Sequence, residues 1–137
     1  MNRQDFKRLA EQRVRDAEVL LAGRRYAAAY YLCGYAVECA LKACIAKRTG
    51  RYDFPELKTV QASYTHSLKQ LVVPANLEKQ LQKELRGERF GANWTLLQDW
   101  SEQNRYDLNI TGQEARDLYD AVTDSTDGVL TWLKNFW

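Results

Sequence analysis

The sequence predicts an all-α protein, an up-and-down four-helix bundle with one or two extra short helices. Apolar residues recur at three-to-four spacing along most of the 137 residues, which is the period of an amphipathic helix. No stretch shows the strict apolar and polar alternation that a half-buried strand requires. Because a chain of this length corresponds to about one domain, we expect residues 1–137 to form a single helical domain.

The first third of the chain predicts two helices. The first carries apolar residues on one face, with charged residues on the others, and ends near Gly23. The second starts at Arg24 or Arg25, runs to about Thr49 and closes at Gly50. Since this second segment is apolar almost all round, we expect it to be the central helix of the fold.

The middle of the chain alternates loops and short helices. Residues 50–64 mix Gly, Pro and polar side chains without a clear period, which predicts a connecting loop. A short helix follows, capped by Thr65 and stopped by Pro74. A third helix ends at Gly87.

The last third contains an aromatic face and a helix cap. Trp94, Leu97 and Trp100 share one helical face, so they belong to a short helix or to an extension of the third. Thr111 and Glu114 form a capping box, which predicts the start of the last helix. That helix is predicted to bury these residues: Ala115, Leu118, Tyr119, Val122, Val129, Leu130, Leu133 and Phe136.

Composition excludes several classes of function. Twenty basic and eighteen acidic residues leave a formal charge of +2, which by itself does not indicate a nucleic-acid binder. The N-terminal residues are charged and lack the apolar segment of a secretory signal, and Glu38 and Lys42 interrupt the apolar stretch 26–46, which argues against a membrane span. We therefore expect a cytoplasmic protein that does not bind a membrane. The phosphate-binding loops GxGxxG and GxxxxGK[ST] are absent from the sequence, and no cofactor is predicted.

Cysteine and histidine usage narrows the chemistry further. Cys33, Cys39 and Cys44 lie in one segment without CxxC spacing, so we expect buried, reduced thiols rather than a disulfide or a zinc site. His66 is the only histidine, which excludes HExxH and any two-histidine metal site. A structural role for His66 is favoured, and a ligand-binding or catalytic role is the alternative.

Four aspartates near the C-terminus invite a metal hypothesis. Asp117, Asp120, Asp124 and Asp127 are spaced to share roughly one helical face. A solvated surface is the favoured interpretation of such a stripe, so no metal site is predicted.

Glu38 is a carboxylate inside an apolar helix. A buried carboxylate costs several kcal/mol unless it is paired and hydrogen-bonded, so Glu38 needs a basic partner. Arg105 is the favoured partner because its planar fork matches a carboxylate. Lys42, four residues after Glu38 on the same helix, is the alternative.

Three motifs resemble a known family. Residues 28–47, AAYYLCGYAVECALKACIAK, resemble the second-helix signature of HEPN domains, the "higher eukaryotes and prokaryotes nucleotide-binding" helical domains. HSLKQL at 66–71 is similar to the family's H-x-L-x-x-L, and WSEQNRY at 100–106 resembles its W-x(n)-RY segment. The motifs stand in the family's order, and the resemblance spans roughly residues 5–135.

The resemblance implies a helical bundle that commonly homodimerises and is often encoded or fused with a minimal nucleotidyltransferase in toxin–antitoxin or related defence systems. Many members are metal-independent ribonucleases that cut RNA with an R-x(4–6)-H motif doubled across the dimer. Here the arginine falls on Arg105, but Ile110, Thr111 and Gly112 occupy the positions where the histidine would follow. Neither Thr111 nor Gly112 supplies proton transfer near neutral pH.

We therefore expect a non-catalytic, dimeric module that acts with a nucleotidyltransferase partner or binds a nucleotide or RNA. One alternative is a degenerate metal-independent ribonuclease that uses Arg105 with His66 or with a residue of a second subunit, and the other is a purely structural interaction protein. The candidate ligand-binding residues are Glu38, Lys42, His66, Arg105 and Tyr106. Further phosphate contacts are expected from basic residues that share a face with Arg105, the candidates being Lys79, Lys83, Arg86 and Arg89.

Overall fold

In a computed structural model that describes residues 1–50 and 54–137, the chain forms eight α-helices and one 3-10 helix, and these residues contain no strand. The predicted all-α bundle is confirmed. Instead of one or two extra short helices, four short α-helices and the 3-10 helix accompany the four longer ones. In chain order the elements are α1 (Arg3–Ala22), α2 (Tyr26–Arg48), α3 (Leu57–Ser63), α4 (Leu68–Leu71), α5 (Glu78–Glu84), α6 (Glu88–Gln98), the 3-10 helix (Glu102–Tyr106), α7 (Gly112–Thr123) and α8 (Val129–Leu133).

α1 and α2 form the largest helix–helix interface of the described fold. A capping box starts α1, in which Asn2 Oδ1 accepts from the Asp5 backbone N–H and Asp5 Oδ2 accepts from the Asn2 backbone N–H, both at 3.0 Å. The helix ends at Gly23, as predicted. Because α2 begins almost immediately, the two helices pack antiparallel along their length.

α2 is the central helix, which confirms the prediction. It contacts α1, α4, α7, α8 and the 3-10 helix. The three cysteines lie buried on it as free thiols, as predicted, and burial raises the pKa of Cys33 to about 12 and of Cys39 and Cys44 to about 11. Among the described residues, no helix combines the length and the apolarity needed to cross a bilayer.

The indole of Trp100 packs directly on the backbone of α2 at Gly34, where a Cβ atom would overlap the ring. Trp100 Nε1 donates to the Tyr31 carbonyl oxygen at 3.1 Å, and the two rings stack with centroids 6.0 Å apart. This contact attaches the end of α6 to α2, and the 3-10 helix follows directly in the chain.

The structure corrects two predictions in the middle of the chain. The predicted loop 50–64 contains α3, apart from residues 51–53, which lie outside the described residues. Ser67, not Thr65, caps α4, because its Oγ accepts from the Gln70 backbone N–H at 3.4 Å, whereas Thr65 Oγ1 accepts from the Ser67 N–H at 3.1 Å. Gly87 follows the end of α5 and is the N-cap of α6, so the aromatic face belongs to a separate helix.

The predicted last helix is in fact two helices, α7 and α8. The capping box at its start is confirmed, but Asp124 ends α7, and its Oδ1 accepts from the backbone N–H groups of Asp127 at 2.7 Å and Thr126 at 2.9 Å. These two bonds lower the pKa of the Asp124 carboxyl. Gly128 closes the turn, since a Cβ there would overlap the Asp124 backbone.

We expect Gly34→Ala to destabilise the protein. In an open helix this exchange stabilises by about 1 kcal/mol, but here the new methyl overlaps the Trp100 ring, and overpacking of this kind costs about 1–3 kcal/mol. Gly91→Ala on α6 is the matched control, because its Cβ would meet the Leu85 carbonyl oxygen at an ordinary 3.5 Å. Urea denaturation should show opposite signs for the two variants; equal stabilisation by both would contradict the Trp100 contact.

Candidate functional site

The 3-10 helix separates two surface clefts. The larger, about 520 Å³, lies between this helix and the start of α2, and we name it the arginine cleft after Arg24, Arg25 and Arg105 in its lining. The smaller, about 330 Å³, lies between the 3-10 helix and the start of α4, with His66 in its lining. Each cleft is formed by segments distant in sequence that the fold brings together.

One wall of the arginine cleft is the turn from α1 to α2. Arg24 adopts the left-handed backbone region with φ 59°, which costs an L-residue other than glycine about 1–2 kcal/mol. Arg25 is the N-cap of α2, although its side chain makes no capping hydrogen bond. Tyr26 and Tyr31 of α2 also line the cleft, so this wall carries both basic and aromatic side chains.

The opposite wall carries Arg105 at the end of the 3-10 helix. Its guanidinium lies 4.8 Å from the centroid of the Tyr106 ring, and Nη1 lies 3.8 Å from Glu102 Oε2. A side-chain hydrogen bond with Tyr106 raises the pKa of Arg105. Tyr106 itself is exposed at the surface. Arg105 therefore presents a permanent positive charge beside an exposed aromatic ring.

A chain of five ionisable side chains, which we name the charge chain, connects the core to this wall: Lys42, Glu38, His66, Glu102 and Arg105. Glu38 Oε1 accepts from Lys42 Nζ at 2.9 Å and contacts His66 Nδ1 at 2.8 Å. His66 Nε2 lies 3.1 Å from Glu102 Oε2, and Glu102 is the carboxylate next to Arg105. Glu38 is only 2% exposed, and its Oε2 is buried without a hydrogen-bond partner among the described residues.

The favoured Glu38–Arg105 pair is therefore wrong, and the Lys42 alternative is confirmed. Arg105 is separated from Glu38 by His66 and Glu102, which occupy the space between α2 and the 3-10 helix. The chemistry of Arg105 suits a carboxylate, but the segment that packs over Glu38 is set by tertiary contacts between residues distant in sequence. His66 is the second partner of Glu38 and was not predicted from the sequence.

The structure brings the predicted ligand-binding residues into one region but gives them different surroundings. Glu38 is buried and Lys42 is part-buried in the charge chain, whereas Arg105 and Tyr106 lie at the surface. Glu102 and the first wall of the arginine cleft were not predicted from the sequence. The RRY triplet at 24–26 places two basic residues directly before an aromatic one, which is a signal that could have found that wall.

Other predicted basic residues lie elsewhere. The lining of the arginine cleft, among the residues that the structure describes, includes none of the following: Lys79, Lys83, Arg86 and Arg89. Arg86 lies between α5 and α6 and is exposed, which makes it useful as a control.

The predicted aspartate stripe does not share one helical face. Asp117 and Asp120 lie on α7, while Asp124 and Asp127 lie at the turn after it. In residues 1–50 and 54–137, no group of three or more histidine, cysteine or acidic side chains is arranged to hold a metal ion.

Comparison with known proteins identified one family. The family model described as "HEPN domain" matches residues 4–136, which is nearly the whole chain. Neither the search of curated proteins nor the search of solved structures returned a match.

We expect Glu38→Ala to lower the free energy of unfolding by about 2–4 kcal/mol, because it leaves Lys42 and His66 without their acceptor and removes a buried side chain. Glu11→Ala, an exposed position on α1, is the matched control and should change stability by less than about 0.5 kcal/mol.

Arg105→Ala completes the comparison in the same urea titrations. Since Arg105 is exposed and does not contact Glu38, Arg105→Ala should change the free energy of unfolding as little as Glu11→Ala does. A loss as large as that of Glu38→Ala would contradict the observed pairing.

Proposed function

The chain belongs to the HEPN domain family, whose functions are nucleotide- and RNA-related, and on that premise we propose that it binds single-stranded RNA or a nucleotide in the arginine cleft. The observation that carries the proposal is the convergence of Arg24, Arg25 and Arg105 on one cleft of about 520 Å³ that also contains tyrosines. The formal net charge of +2 does not indicate this local concentration of arginines.

Phosphate binding follows from the charges of the cleft. Guanidinium groups bind phosphate oxygens in a bidentate manner, and the cleft lies at the N-terminus of α2, whose first turn contains no acidic residue. The partial positive charge of a helix N-terminus adds to the attraction for an anion. Asp107 also lines the cleft, but its Oδ1 already accepts from the Asn109 backbone N–H at 2.9 Å.

The tyrosines favour a nucleotide over a simple anion. Tyr26 lines the cleft and Tyr106 is exposed beside Arg105, whereas the Tyr31 ring in the lining already stacks on Trp100. Stacking of a base on an aromatic ring contributes about 1–3 kcal/mol and does not depend strongly on the base. Aromatic and guanidinium groups within one cleft thus suit a flexible single strand, in which bases are free to leave the stack.

The same geometry favours binding over cleavage. A ribonuclease that used Arg105 with His66 would need an imidazole nitrogen free to exchange a proton with the 2′-hydroxyl. Both ring nitrogens of His66 face carboxylates, at 2.8 Å and 3.1 Å. Thr111, at a position of the missing histidine, is the N-cap of α7.

Family membership supports two further proposals, a homodimer and a nucleotidyltransferase-domain partner of a toxin–antitoxin or defence-like system. Leu108 in the lining of the arginine cleft and Tyr106 beside it are both exposed. A second subunit or a partner that covered them would bury apolar surface beside the arginines.

We expect Arg105→Ala and Arg25→Ala each to weaken binding of a 5′-hydroxyl oligouridylate by about tenfold, because each removes a charged hydrogen-bond donor to phosphate. Fluorescence anisotropy measures the affinity, and each variant should also flatten its dependence on salt. Arg86→Ala removes the same charge outside the cleft and should change the affinity by less than about twofold.

Equal losses in all three variants would contradict the assignment to the arginine cleft. Gel analysis of the same samples should show full-length RNA. Cleavage that disappears in Arg105→Ala would instead establish the ribonuclease alternative.

We expect Arg24→Gly to stabilise the fold while it weakens RNA binding. Glycine adopts the left-handed conformation of position 24 (φ 59°) without steric cost, so the free energy of unfolding should rise by about 1 kcal/mol. Asn76→Gly is the control at another left-handed position, φ 58°, outside the cleft lining. It should leave RNA affinity unchanged, and an Arg24→Gly protein that bound RNA normally would show that Arg24 does not contact it.

A further inference from the structure

His66 lies between two carboxylates, one at each ring nitrogen. Nδ1 is 2.8 Å from Glu38 Oε1, and Nε2 is 3.1 Å from Glu102 Oε2. A neutral imidazole has one N–H donor and one acceptor, whereas an imidazolium has two donors. Because an ionised carboxylate only accepts hydrogen bonds, the observed arrangement is satisfied on both sides only when the ring is protonated.

Loss of that proton would break the contact with Glu102 rather than the one with Glu38. Glu38 is 2% exposed and its Oε2 already has no partner among the described residues, so its remaining hydrogen bonds are costly to lose. Glu102 is 29% exposed and water can replace the imidazole. A neutral His66 therefore keeps its single N–H on Glu38 and turns a lone pair towards Glu102.

Glu102 has an alternative partner in the arginine cleft. The same oxygen that contacts His66 lies 3.8 Å from Arg105 Nη1, three residues further along the 3-10 helix. A small movement of the Glu102 side chain would shorten this distance to a direct hydrogen bond. The bond would occupy the guanidinium and place a negative charge beside the phosphate position.

We propose that His66 is a proton-dependent positioning residue for the arginine cleft. When His66 is protonated, it holds Glu102, and Arg105 is free to bind the RNA phosphate. When His66 is neutral, it releases Glu102, which then competes with the phosphate for Arg105. The inference rests on the proposed binding of RNA in that cleft. RNA should therefore bind more tightly below the pH range in which imidazole titrates than above it.

The groups around His66 allow a pH dependence of RNA binding to be assigned to this residue. His66 faces Glu38 and Lys42 from α2 and Glu102 and Arg105 from the 3-10 helix, with Lys69 of α4 on the same cleft wall. It is the only histidine in the sequence. Since burial raises the pKa of the three thiols to about 11 or 12, cysteine does not titrate between pH 6 and 8.

The test measures RNA affinity at pH 6 and pH 8 by anisotropy. The probe is a 5′-hydroxyl oligouridylate carrying a rhodamine label, since neither its phosphodiesters nor its dye titrates in this range. We expect wild type to bind about two- to fivefold more tightly at pH 6, the range that an exposed ion pair contributes.

Two variants isolate the mechanism. His66→Asn retains a donor for Glu38 but no titrating ring, so it should bind weakly at both pH values. Glu102→Gln removes the competing charge and should bind tightly at both. The terminal α-amino group is the same in all three proteins, and thermal melts confirm that each is folded.

A wild-type affinity that is equal at pH 6 and 8 would overturn the inference, as would a pH dependence that survives in either variant. If either result is seen but RNA binding still requires Arg105, the proposed function of the cleft remains supported. Absence of binding at both pH values would overturn the proposed function and this inference together.

Discussion

The close packing of Trp100 on Gly34 sets the position of the 3-10 helix and of the two clefts beside it. The indole of Trp100 lies on the backbone of the central helix, and a residue larger than glycine at position 34 would exclude the indole. The hydrogen bond from the indole to the Tyr31 carbonyl oxygen fixes the position of the ring. The 3-10 helix is placed by this contact, because its first residue follows Trp100 closely in the chain. Both clefts lie against that helix, so a core contact determines the surface geometry.

Glu38 gives the same region its electrostatic organisation. A carboxylate 2% exposed in a central helix would be unstable alone, but Lys42 and His66 share one of its oxygens. Because His66 also contacts Glu102, the buried charge links α2, the start of α4 and the 3-10 helix. The core charge and the surface arginine are thus parts of one chain of contacts rather than a direct pair.

Local sequence patterns predicted much of the helical structure. They did not predict the contacts between residues that are distant in sequence. The nearly continuous apolar composition of α2 identified the central helix, and Thr111 with Glu114 identified the start of α7. The apolar period continues across the turn at Asp124, which hid the break in the last helix even though DSTDG has turn composition. The partner of Glu38 and the arginine cleft were missed because the residues that meet there, such as Arg24 and Arg105, are far apart in sequence.

Amide chemical shifts test whether RNA binds between the start of α2 and the 3-10 helix. In a titration of ¹⁵N-labelled protein with oligouridylate, the largest shift changes should fall on residues 24–28 and 104–108, which supply the two walls of the arginine cleft. Unchanged signals there, together with large changes on the basic segment 79–89, would show that RNA does not bind in the arginine cleft.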